Sequence, residues 1–162
     1  MNDEKTIQLD RMRFTKNTTS ANLALLAILF NVLFFISIYE SDKGSWYYTI
    51  LVGASILYNL IFLLAAFLAS EGVKNYNIGY AYLLFVLGAG QLIRIMIYPM
   101  KAHAATVMIQ DQAVGVMGNG QFMRVTLYLV LSAVCCFAAG AIGVQKSKAL
   151  SAHLASMEDQ SK

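Results

Sequence analysis

Charge is scarce in this sequence. Only 13% of its 162 residues are Asp, Glu, Lys or Arg, about half the share carried by a soluble domain. With 58% hydrophobic residues and a mean hydropathy of +0.58, there is more apolar surface than one small core can cover. The bilayer is the solvent that shields the remainder. Proline is scarcer still. The single Pro99 excludes a proline-rich linker, and the chain reads as one compact domain with polar tails.

Cysteine and histidine are nearly absent too. The two cysteines, Cys135 and Cys136, are adjacent within an apolar run, which fits neither a disulfide framework nor zinc-ligand spacing. They read as small packing residues. His103 and His153 fall on opposite sides of the predicted membrane, so the sequence offers no metal-ligating residues. It also lacks a Ser–His–Asp set, a pair of intramembrane carboxylates and a phosphate-binding loop. Gly88 and Gly90 flank Ala89 but follow no strand, so they are no dinucleotide fingerprint. No catalytic or cofactor-binding residue is expected, and an enzyme is not. The net charge of +3 forms no basic stripe, which excludes nucleic acid as a partner.

What is present is four long apolar runs. No charge lies between Lys16 and Glu40, Lys43 and Glu71, Lys74 and Arg94, or Arg124 and Lys146. Each gap of roughly 19 to 27 residues suffices to cross ~30 Å of hydrocarbon as a helix. The runs are continuous rather than alternating, which excludes barrel strands. The spans are predicted at 21–39, 46–70, 76–98 and 122–144. Residues 1–20 and 145–162 form polar segments on either side of the transmembrane domain 21–144. The first span is read as retained, because Tyr39, Glu40, Ser41 and Asp42 after it are not a signal-peptidase site.

Lys and Arg set the orientation. Arg11, Arg13, Lys16, Lys74, Lys146 and Lys148 share one side. Lys43, Lys101 and Arg124 lie on the other, with Arg94 just inside it. Both termini are therefore expected in the cytoplasm. Tyr39, Trp46, Tyr47, Tyr48 and Tyr98 would form an outer aromatic belt, with Tyr76 and Tyr80 at the inner interface. Asn17 opens a glycosylation acceptor, but on the cytoplasmic side. The fold class is an all-α membrane protein: a four-helix antiparallel bundle in the plasma membrane.

Two short connections force spans one, two and three to be antiparallel neighbours. The third connection, residues 99–121, is longer. Two short apolar stretches, 106–109 and 113–117, flank Gln110, Asp111 and Gln112. Gly115 and the valines favour a small β-hairpin there over a surface helix. Past the fourth span, Leu150, Leu154 and Met157 recur at helical spacing. A helix continuing into the cytoplasm and a frayed tail are equally compatible with that pattern.

Spans one and two share an echo: ILFNVLF at 28–34 aligns with ILYNLIF at 56–62. It sets Asn31 and Asn59 near the middle of neighbouring helices, where the amides can meet. Such an interhelical pair contributes about 1 kcal/mol. Arg94 is an ionisable group at the end of a span, roughly 27 Å along it from Tyr76, with Gln91 one turn earlier on the same face. At that depth a carboxylate clasp from Glu40 or Asp42 is the expected partner, with Asp111 as a further candidate. Two rows of small residues run along span four: Ser132, Cys136 and Gly140, then Ala139 and Gly143. Ala65 and Ala69 make another on span two. Such rows bring helices close, within a bundle or between subunits.

The stretches SANLALLA at 20–27, Phe30 with Asn31, SIYES at 37–41 and EGVKNY at 71–76 resemble a small uncharacterised group of bacterial four-span membrane proteins. The resemblance implies the same topology and carries no activity.

Three functions remain in view. The first is an accessory or scaffold subunit that packs against another membrane protein or itself. It is motivated by small size, small-residue rows and the lack of catalytic residues. The second is a small homo-oligomeric transporter or channel, motivated by Asn31, Asn59, Gln91 and Arg94. The third, a membrane enzyme, has least support.

Overall fold

A computed structural model describes residues 16–38, 46–109 and 112–160. Four long helices dominate it: α1 (Thr18–Ile38), α2 (Trp46–Lys74), α3 (Ile78–Ile97) and α5 (Asn119–Gln160). All four are long and apolar enough to cross a membrane, as an integral, multi-pass membrane protein requires. The short helix α4 (Pro99–Ala104) and strands β1 (Thr106–Ile109) and β2 (Gln112–Gly115) connect α3 to α5.

Within the apolar stretches the outward faces of the long helices are as apolar as their inward faces, so packing is decided by side-chain size and by a few polar groups. On α1 the buried stripe is Ser20, Ala21, Ala24, Ala27, Asn31 and Phe34. Leu25, Leu29 and Ile36 point outward. On α2, Ser55, Asn59, Phe62, Ala66, Ala69, Ser70 and Val73 turn inward, while Leu57, Leu60, Ile61, Leu64 and Phe67 are exposed. Small and polar inside with large and apolar outside suits an element whose solvent is hydrocarbon. Close approach of helices supplies the packing that a hydrophobic driving force cannot.

Serines lock this packing by donating to carbonyls of neighbouring helices. Ser132 Oγ donates to Ala27 O at 2.9 Å, Ser70 Oγ to Ala21 O at 3.2 Å, and Ser20 Oγ to Ala139 O. The Gln121 amide donates to Ser37 O at 2.9 Å. Along α1, residues 20, 27 and 37 therefore meet residues 139, 132 and 121 of α5, so these two helices run in opposite directions. The small-residue rows of α5 face inward. Gly140 lies against Ala81 O and the Phe85 ring, and Gly143 against Ala81, Ser20 and Val73. The rows are used within the chain.

The turn from α2 to α3 is tight. Asn77 N and Asn75 N both donate to Gly72 O, and Tyr76 N to Val73 O. Tyr76 adopts φ 60°, a left-handed conformation common at helix C-termini. The Asn77 side chain then caps α3 by accepting from Gly79 N at 3.1 Å. The Tyr80 ring folds back over Gly72, where an added Cβ would lie 2.1 Å from ring carbons. Only glycine fits there. Asn17 closes this end from α1, its N–H donating to Lys74 O at 3.0 Å.

At the opposite end, Pro99 stops α3 and starts α4 at a position that needs no backbone donor. The sequence reading did not anticipate α4. β1 and β2 pair antiparallel, with Thr106 opposite Gly115 and Ile109 opposite Gln112. Phe34, Ile38, Tyr98, Ala102, Val116, Met117, Val125 and Leu129 form one core under this cap.

The helix bounds differ from the predicted spans. α2 runs to Lys74 rather than 70, its last turn tied by a Lys74–Glu71 ion pair at 3.0 Å. α5 runs to Gln160, so the segment after 144 is helical rather than frayed.

Candidate functional site

The last turns of α3 carry Gln91 and Arg94, three residues apart and both buried. This one face brings together the polar residues of three helices. Arg94 Nη1 donates to Asn31 Oδ1 on α1 at 3.1 Å and to Asn59 Oδ1 on α2 at 2.8 Å. Nη2 donates to Ser55 O at 3.2 Å and to Ser55 Oγ. Gln91 Nε2 donates to the same Asn31 Oδ1 at 3.1 Å. The guanidinium carbon lies 4.2 Å from the centroid of the Phe34 ring and 4.8 Å from that of Tyr58.

Physical chemistry dictates this shell. A guanidinium donates and never accepts, so every neutral group against it must present oxygen. Two amide oxygens, a carbonyl and a hydroxyl do so, and two aromatic faces add cation–π attraction. An arginine at the centre of a membrane helix costs about 2.5–3.5 kcal/mol on the insertion scale. Spreading its charge over dipoles from the two neighbouring helices, α1 and α2, offsets part of that cost.

The same arrangement leaves other atoms behind. With both asparagine oxygens on the arginine, Asn31 Nδ2 and Asn59 Nδ2 have no hydrogen-bond partner, and neither does Gln91 Oε1. Two cavities flank the cluster. One of about 360 Å³ lies between α2 and α3, lined by Ser55, Tyr58, Gly90, Ile93, Arg94 and Ile97 among others. The other, of about 80 Å³, lies between α1 and α2 beside both asparagines.

Asn31, Asn59, Gln91 and Arg94 thus converge on one site. Glu40 and Asp42, and Asp111 with them, lie outside the described residues. Asn31, which accepts from Arg94, lies seven residues before Ile38, the last described residue of α1.

Ser55, Phe34 and Tyr58 were not anticipated. The echoed segments contain the signal for two of them. Each contributes one asparagine to Nη1 and one aromatic ring to the guanidinium: Asn31 with Phe34, and Asn59 with Tyr58.

Elsewhere, His103 Nδ1 lies 3.2 Å from Met117 O, and its ring stacks on Phe122 at 4.5 Å. Both cysteines are free and buried. No cluster of three or more His, Cys, Asp or Glu occurs among the described residues. Comparison with known protein families, curated proteins and solved structures finds no match.

Proposed function

We propose that this chain is an accessory or scaffold subunit of a larger assembly in the plasma membrane, without enzymatic activity of its own. It spans the bilayer four times as an antiparallel bundle, with both termini in the cytoplasm and the β1–β2 hairpin outside. The clustering of Lys16, Lys74, Lys146 and Lys148 at one end supports that orientation.

One observation carries the subunit reading. Ser147 Oγ donates to Tyr76 O at 2.9 Å, which fixes the level of the α2–α3 turn on α5. The helix continues to Gln160, about 20 Å beyond that level. On this projection Leu154 and Met157 are 55% and 51% exposed. They are three residues apart and follow Leu150 by helical spacing. An apolar stripe on a helix that has left the hydrocarbon needs cover, and a groove in a partner provides it. Because the small-residue rows pack within the bundle, the partner contact falls on this stripe.

The test is purification of N-terminally tagged protein at native expression in mild detergent. A larger membrane protein should co-purify in fixed stoichiometry. It should be lost from a Leu154→Glu, Met157→Glu variant that remains folded. Recovery of the chain alone from both rules the subunit reading out.

The Arg94 cluster favours a second reading, a small homo-oligomeric transporter or channel. Buried polar groups within spans mark solute paths in such proteins. Solute flux in proteoliposomes that disappears with Arg94→Ala and Asn59→Leu would support it. Flux indifferent to both changes would remove its basis.

A further inference from the structure

We propose that the groove between α2 and α3 holds one acyl chain of an anionic phospholipid, whose phosphate is bound by Lys101 at the α4 end of the groove. The inference rests on the four apolar spans and is independent of the subunit reading.

The groove exists because side chains are small where the two helices pass. Gly90 on α3 has none, and Ala54 on α2 contributes a single methyl. A Cβ on Gly90 would lie 2.5 Å from the Tyr58 hydroxyl, so the gap is not simply a place for a larger residue. Ile93, Ile97 and Tyr98 complete a cavity of about 360 Å³ that presents almost only apolar surface. Arg94 and Ser55 contribute to its lining, but their polar atoms are engaged in the hydrogen bonds of the cluster. The groove therefore selects hydrocarbon. From Gly90 to Ile97 it follows seven residues of α3, about 10 Å. Left empty, it would forfeit the dispersion contacts of its walls. The surrounding bilayer supplies chains of suitable shape.

Its rim distinguishes a lipid from a neighbouring helix. Leu57 and Ile61 share a face of α2 with Ala54 and Tyr58 by helical spacing, and both are exposed, as are Ile93 and Ile97 on α3. Helices that associate in a membrane bring small residues to the contact. Projecting branched side chains hold a helix backbone away, whereas a single chain passes between them.

Charge selects the headgroup. Helical bonding continues across the joint between α3 and α4: Tyr98 N donates to Arg94 O at 3.1 Å and Ala102 N to Tyr98 O at 2.9 Å. Ile93, Ile97 and Lys101 therefore follow one another at four-residue intervals on one face. Lys101 stands one turn, about 5 Å, beyond the groove, and it is exposed. A lysine at the end of a span extends its ammonium to the headgroup level and attracts anionic lipid there.

Native mass spectrometry of the full chain tests both halves of the proposal. The protein is released from micelles doped with equal amounts of palmitoyl-oleoyl phosphatidylglycerol and the matching phosphatidylcholine. Wild type should retain one lipid, with phosphatidylglycerol favoured about fivefold, the share expected of one lysine near a headgroup. Lys101→Gln should still retain one lipid, now drawn equally from both classes. Ala54→Phe puts a ring into the groove and should lower retention of both lipids roughly tenfold. No retained lipid in wild type, an undiminished preference in Lys101→Gln, or undiminished retention in Ala54→Phe overturns the proposal. Because Lys101 is exposed, its variant keeps the test decisive should Ala54→Phe fail to fold.

Discussion

Asn31 and Asn59, on different helices, present their side-chain oxygens to the same nitrogen of Arg94, at 3.1 and 2.8 Å. Arg94 itself comes from a third helix. One side chain therefore sets the relative height of α1, α2 and α3. This makes the cluster a register pin as well as a candidate site, and the two roles have separable consequences.

Replacing Arg94 with Leu strands both amide oxygens. Each orphaned acceptor costs about 1–3 kcal/mol, so the single variant should unfold at clearly lower temperature in detergent. Adding Asn31→Leu and Asn59→Leu removes the orphans, and most of the loss should return, as when buried ionic networks are replaced by apolar residues. Thermal unfolding of the single and triple variants decides this. A triple variant weaker than the single one would show that the cluster contributes net stability.

Arg94→Lys keeps the charge and loses the fork. An ammonium cannot reach Ser55 and both asparagines in the guanidinium's planar geometry, nor stack between Phe34 and Tyr58. Its melting temperature should fall between those of wild type and Arg94→Leu. Equality with wild type would mean that charge alone matters.

Gly72→Ala should be among the most damaging single-methyl changes in the chain. The new Cβ would meet the Tyr80 ring at 2.1 Å, and overpacking of this kind costs about 1–3 kcal/mol. A second change, Tyr80→Ala, should restore most of the melting temperature by clearing the space. Absence of rescue would place the cost in the turn backbone.

The spans were legible because charge marks their ends and length matches the bilayer. Their bounds were less so. The second span was expected to stop at 70, yet a cation suits the last turn of a helix, and α2 extends through Glu71 and Lys74. Helix α4 escaped notice because one and a half turns leave no periodicity to read. The echo between 28–34 and 56–62 did identify the asparagines. What it could not supply was the stagger between helices, which depends on how side chains interlock. Counting along α3 alone therefore could not bring Arg94 to Asn31 on α1 and Asn59 on α2. The small-residue rows gave the faces of close approach without saying which helix fills them. Ser132, Gly140 and Gly143 meet α1 and α3.

Cys135 and Cys136 provide an independent check on the packing of α5. Both are free and buried, at 8% and 0% exposure. A water-soluble maleimide should label neither in the folded protein and both after denaturation in detergent. Rapid labelling in the native state would mean that this helix opens to water.

The most direct test of the subunit account places a photo-crosslinking residue on α5 in intact cells. Positions Leu154 and Met157 lie on the apolar stripe, and the exposed Ala152 and Ser156 turn away from it. The account predicts one discrete product with a larger membrane protein from 154 and 157, absent from 152 and 156. The same products at all four positions, or none at any, would contradict it.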